Sequence, residues 1–231
     1  MLLIRPGEKR LVAVLFGHSF CNGLARICAD MASDSLLLTT YGTSALPYVY
    51  LGVAATAPLV GLVFSWGAQR LCFPHLLGSV LGALGIAVCV LRVLLGIGAM
   101  HWPVIALAVW SYLLMILLGL EFWSLAGQLL RAEQSKRLYG LIGSGEVLAT
   151  ILGGLGAAAV VRQIGTLNLL LITAGGLAGV LGSLLALKPH FLQPSPPVGD
   201  TLHKNPSTVG SSPCCASPML WGLSPPTSCF Y

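Results

Sequence analysis

The chain has 231 residues and a net charge of +5; 56% of its residues are hydrophobic and only 8% are charged, with a mean hydropathy of +0.87. A soluble domain carries about 25% charged residues, so this composition excludes a water-soluble globular enzyme: there is too little charge to clothe an aqueous surface. The basic residues are scattered at segment ends rather than gathered in a patch, which excludes nucleic acid as a partner.

Crossing the ~30 Å hydrocarbon core of a bilayer takes roughly 20 apolar residues. Taken in chain order, six runs meet that length: Leu11–Met31, Ala45–Trp66, Leu76–Met100, Val104–Leu130, Leu138–Val161 and Leu167–Leu187. They are continuous and lack the alternation of barrel strands. The expected fold is therefore an all-α membrane protein of about six transmembrane helices, with the bilayer as its first partner. The first run reads as a retained span rather than a cleaved signal, because it is long, carries Arg26, Asp30 and Asp34 near its end, and is followed by further spans.

Arg5, Lys9, Arg10, Arg70, Arg131, Lys136, Arg137 and Lys188 fall on one side of such a bundle, whereas only Arg162 stands near a membrane end on the other. By the positive-inside rule both termini are expected in the cytoplasm. The localisation that follows is a multi-pass protein of an inner or plasma membrane.

Charged groups within the spans carry the functional reading, since each costs roughly 3 kcal/mol at mid-bilayer on insertion scales. Arg26, Asp30 and Asp34 recur every four residues and share one face of the first helix. They line a polar pathway or, if that helix stops near Ala29, they are interfacial charges, Asp34 above all. Arg92 lies in the third span, Glu121 in the fourth with Ser124 and Gln128 on its face by spacing, and Glu146 in the fifth. These three serve a solute or ion pathway, or they are paired structurally, as Arg92 with Glu121 would be. The ionisable groups concentrate in the first and fourth helices, corresponding members of two three-helix repeats, as in many transporters.

Small residues at four-residue spacing form ridges: Gly78 and Gly82; Ala149, Gly153 and Ala157; Gly175, Gly179 and Ser183. Such ridges predict close helix contact in lipid. Pro47 starts the second span, Pro58 predicts a kink within it, and Pro103 opens the fourth.

Catalytic chemistry is thinly represented. His18, His75, His101, His190 and His203 are far apart in sequence, and no Gly-x-Ser-x-Gly nucleophile elbow is present. Gly143-Ser-Gly145 lacks the Lys-Ser/Thr of a phosphate loop. Of seven cysteines, no pair has zinc-ligand spacing with a neighbouring His. The expectation is no enzyme, no cofactor and no metal. Composition breaks near Lys188, where a run rich in Pro and Ser begins, giving a transmembrane domain over 1–188 and a tail over 189–231. The tail is read as a disordered segment, or as a stretch that is not natural coding sequence.

Two stretches carry a family likeness: Asp34-Ser-Leu-Leu-Leu-Thr-Thr-Tyr-Gly42 with Leu46-Pro-Tyr-Val-Tyr50, and Phe122-Trp123 with Glu133-Gln-Ser-Lys-Arg-Leu-Tyr-Gly-Leu-Ile-Gly-Ser-Gly145, continuing to Gly153-Gly154. Together they resemble the ATP:ADP antiporter-like family of nucleotide translocases, a branch of the major facilitator superfamily. Gly67-Ala-Gln-Arg70 looks like a remnant of the superfamily's loop motif. The resemblance runs from Arg10 to about Leu187 and implies the N-terminal half of a twelve-helix rocker-switch carrier for an anionic nucleotide. It implies cationic groups facing the phosphates, with Arg26 and Arg92 in the spans and Lys136 and Arg137 at the cytoplasmic mouth. The implied partner is a second six-helix half or a second copy of the chain. The rival reading is a non-transporting anchor or scaffold that packs with a partner chain through its glycine ridges.

Overall fold

The computed structural model describes residues 9–70, 73–97, 102–130 and 132–191. Six long helices follow one another: α1 (Lys9–Tyr41), α2 (Leu46–Arg70), α3 (Phe73–Ile97), α4 (Trp102–Leu129), α5 (Ala132–Ile164) and α6 (Leu169–Phe191). All six are long and apolar enough to cross a membrane. Helix is the form such sequences take in lipid, because it satisfies every backbone N–H and C=O within the segment. The chain is thus an all-α protein with the build of a multi-pass membrane bundle. The Pro/Ser-rich stretch beyond Phe191, and with it the boundary expected at Lys188, lies outside the residues whose side chains are described.

Two glycines make the sharpest turns. Gly42 has φ 67° and ψ −166°, and Gly165 has φ 84° and ψ 160°, a region open essentially to glycine alone. Each caps the helix before it: the Gly42 N–H reaches the Leu38 carbonyl at 3.2 Å, and the Gly165 N–H reaches the Val161 carbonyl at 3.0 Å. A single 3-10 turn follows each of them, Thr43–Ala45 and Thr166–Asn168, before the next helix starts.

The first helix is longer than its apolar run. It extends to Tyr41, so Asp30 and Asp34 sit within a helix rather than past its end. Ser33 and Thr39 sustain it by turning their hydroxyls back onto the Asp30 and Ser35 carbonyls. Helix α2 passes through Pro58 as one continuous element.

Helix α1 is the hub. Its pairings with α6 run antiparallel: Ala25 meets Gly176, Cys21 meets Gly179 and His18 meets Ser183. Its pairings with α5 run parallel, with Ser19 against Gly145, Gly23 against Ala149 and Ile27 against Gly153. Against α4 it is antiparallel again, through His18–Glu121 and Ser33–Ser111. Glycine makes these approaches possible. A Cβ on Gly23 would stand 2.7 Å from the Glu146 carbonyl oxygen, and one on Gly176 would stand 2.9 Å from the Ala25 Cβ. Both are closer than packed atoms tolerate, so the backbones touch where side chains normally intervene.

The α5 ridge is found as expected, with Ala149 and Ala157 buried and Gly153 against Ile27. On α6 the contact face is Gly176, Gly179 and Ser183; Gly175 points into open space. The ridge expected on α3 makes no close contact among the described residues, for a Cβ on Gly78 or Gly82 meets nothing within 4 Å. Helix α2 is peripheral. Among its residues only Val49 and Gly67 are buried, while Tyr48, Leu51, Leu62, Val63 and Trp66 are exposed. An apolar face this open belongs against lipid or another membrane helix.

Candidate functional site

Polar groups are concentrated along one stripe of α1, and the structure sorts them into two stations. The first is sealed. His18 and Glu121 are both 0% exposed, and the His18 Nε2 lies 3.0 Å from the Glu121 Oε2. On the other side of the ring, Nδ1 lies 2.7 Å from the Ser183 Oγ. Three helices therefore meet at one imidazole. Phe122 stacks on that imidazole with ring centroids 6.1 Å apart. The second carboxylate oxygen, Glu121 Oε1, is buried without a hydrogen-bond partner.

The second station stands about two turns further along α1. The Arg26 guanidinium donates from Nη1 to the Glu146 Oε1 at 2.6 Å, and its Nε lies 3.9 Å from the Asp30 carboxylate one turn on. The three side chains are 37%, 38% and 36% exposed, in the middle of helices otherwise built for lipid. Arg26 and Glu146 border a recess between α4 and α5, floored by α1 and lined also by Ser19, Asn22, Gly119 and Trp123. Its volume is about 30 Å³, room for roughly two water molecules. Asn22 is buried and its Oδ1 has no partner. Asn22 is thus a recess-lining residue with an unspent buried acceptor. Beyond Asp30, Asp34 is exposed, and Ser33 on α1 meets Ser111 on α4 at 3.0 Å.

Of the pathway residues expected from sequence, Arg26, Asp30 and Glu146 are brought together, Asp34 continues the stripe one turn away, and Glu121 and Arg92 are placed elsewhere. The expected Arg92–Glu121 pairing is not formed. The Arg92 Nη2 donates to the Asn168 Oδ1 at 3.2 Å, tying α3 to the start of α6. The reason is level: α3 and α4 run antiparallel, so Val90 and Leu94 share a groove with Trp102 and Ala106, and Glu121 lies about 20 Å further down α4 at 1.5 Å per residue. Ser124 and Gln128 do not join Glu121 either; Gln128 is exposed whereas Glu121 is sealed. The side chains of Lys136 and Arg137, expected at the cytoplasmic gate, lie outside the described residues. His18 is the buried polar residue that spacing missed. Its partners stand 103 and 165 residues away in the chain, and a lone His in an apolar run carries no local signal of them.

Among the described residues, no group of three or more His, Cys, Asp or Glu side chains stands close enough to hold a metal ion. No protein-family model, no curated protein and no solved structure matches this chain.

Proposed function

We propose that the chain is one half of a secondary membrane transporter, an alternating-access carrier for a polar or anionic solute. One observation carries the reading: a partly exposed Arg26–Glu146–Asp30 cluster in mid-span, two members of which line a recess together with Asn22, whose buried Oδ1 has no partner. Charge inside a membrane bundle is costly and faces a partner or a watered path. Here the partner on Arg26 is present, yet all three side chains stay partly open. Arg26 would contact the anionic part of the solute, with Glu146 and Asp30 holding the guanidinium between transport events.

The likeness to ATP:ADP antiporter-like carriers of the major facilitator superfamily makes nucleotide exchange the first activity to test. The basic residues at one end of the bundle support an orientation with both termini in the cytoplasm. The pathway would close against a second six-helix bundle, either a further half or a second copy.

The test is exchange in proteoliposomes of the full chain, loaded with ATP and supplied outside with labelled ADP. Uptake that requires internal nucleotide and is lost in Arg26→Ala, with membrane insertion unchanged, is the expected result. Uptake equal in Arg26→Ala and the parent would overturn the reading. Full insertion with no uptake, tolerance of Glu146→Gln and a stably co-purifying membrane partner would point to a scaffold instead.

A further inference from the structure

We propose that His18, Glu121 and Ser183 form a proton-binding site, and, resting on the carrier reading above, that it is the site at which a coupling proton is carried. Only a proton between the His18 Nε2 and the Glu121 Oε2 makes their 3.0 Å approach a hydrogen bond; two lone pairs at that distance repel. One proton therefore always lies between them. The other face of the ring decides whether the site holds a second. The Ser183 Oγ stands 2.7 Å from the His18 Nδ1 and 2.7 Å from the Val180 carbonyl oxygen.

A hydroxyl has one proton to donate and two lone pairs to accept with. When Ser183 donates to Val180, it accepts from Nδ1–H, and the site holds two protons and no net charge. When its hydroxyl turns to donate to Nδ1, the site holds one proton and a net charge of −1. In that exchange the Nδ1–H bond breaks, its electron pair stays on nitrogen, and the proton passes to bulk water. Neither state leaves the imidazole without a partner. Ser183 is thus the element that keeps the imidazole partnered in both the loaded and the unloaded state.

Both titrating side chains are fully buried, so exchange with water requires that the α1, α4 and α6 contact open. Proton binding and bundle motion are linked by that burial. Among the described residues, the titratable groups near the level of the site are Cys21 on α1, with Arg10 and Arg26 about two turns to either side, Glu121 itself on α4, and Glu146 and Tyr139 on α5. No described α6 side chain is titratable. Arg26 and Glu146 are engaged with each other, which leaves His18 and Glu121 as the coupled pair. The unpartnered Glu121 Oε1 gives the carboxyl a free acceptor for water as the contact opens.

The experiment is an infrared pH titration of the full chain in phosphatidylcholine vesicles, with histidine isotope labelling to mark the imidazole bands. The imidazole and Glu121 carboxyl bands are expected to change together in one transition, which Glu121→Gln abolishes. Ser183→Ala, which keeps the pair and is the gentler change, is expected to displace that transition by about one pH unit, tenfold in proton affinity. Bands that stay fixed while the helical signal holds, or that change at separate pH values, would overturn the site. A transition that Ser183→Ala leaves in place would overturn the role of the hydroxyl. The titration needs no solute, so it succeeds or fails independently of nucleotide uptake. A second reading on the same vesicles separates the two ideas: an imposed pH gradient should accelerate uptake in the parent and leave it unchanged in Glu121→Gln.

Discussion

Two polar stations on one helix, about two turns apart, have opposite environments. At His18–Glu121–Ser183 the carboxyl and imidazole are wholly enclosed by α1, α4 and α6. At Arg26–Glu146–Asp30 the charged side chains are more than a third exposed, and Arg26 and Glu146 border a recess between α4 and α5. The difference follows from what lies across α1 at each level. At His18, three helices converge, and Phe122 covers the ring. At Arg26, the small residues Gly119 and Asn22 leave space beside the guanidinium. A closed polar site acts through its own protons and its hold on three helices, whereas an open one is available to a solute. Charge alone does not tell the two apart; enclosure does.

The largest effect should come from breaking the sealed station. Glu121→Ala leaves the buried His18 Nε2 without its carboxylate, and breaking a buried pair costs about 3–5 kcal/mol; unfolding in mixed micelles should show a loss of that size. The backing of α1 comes next. Gly176→Leu forces a side chain into the Ala25 backbone and should destabilise by about 1–3 kcal/mol, the range of overpacked cores, with loss of α1–α6 crosslinking between cysteines placed on the two helices. Gly42→Ala imposes a Cβ on a positive-φ turn and should cost of order 1–3 kcal/mol, read from the same unfolding curves.

Arg26→Ala, at the open station, should change stability by about 1 kcal/mol or less, as exposed ion pairs do, yet abolish exchange. If Arg26→Ala were the more destabilising of the two charge changes, the contrast between the stations would be lost. Smallest of all is Gly82→Leu, which meets open space and should stay within about 0.5 kcal/mol.

How much of this could be read from the sequence depends on range. The six helices were legible because each is a continuous apolar run, a property of neighbours in sequence. Their lengths were not: α1 continues ten residues past Met31 through Ser33, Asp34, Ser35, Thr39 and Thr40, because hydroxyls satisfied on their own helix sustain a polar segment that hydropathy ends. The Arg26–Asp30 step was legible as an i, i+4 pair, but the tighter contact of Arg26 is to Glu146 on another helix. Glycine spacing located close contact on α5, chose the wrong neighbour between Gly175 and Gly176 on α6, and failed on α3, where a Cβ on either ridge glycine meets nothing within 4 Å. Spacing says which residues share a face, not which way the face points. His18 was illegible for the same reason, since its whole environment is long-range.

The central claim is that the stripe beside Arg26 is a watered path rather than a seam packed against lipid. Thiol accessibility tests it most directly, on a chain freed of its own cysteines and reconstituted in vesicles. Asp30→Cys and Leu152→Cys, the latter on the exposed apolar face of α5, are each treated with a charged, membrane-impermeant thiol reagent. The account predicts that Asp30→Cys reacts and Leu152→Cys does not, and that an anionic solute of the transported class slows the first reaction. If Asp30→Cys proved as inert as Leu152→Cys, the path would be dry and the carrier reading contradicted.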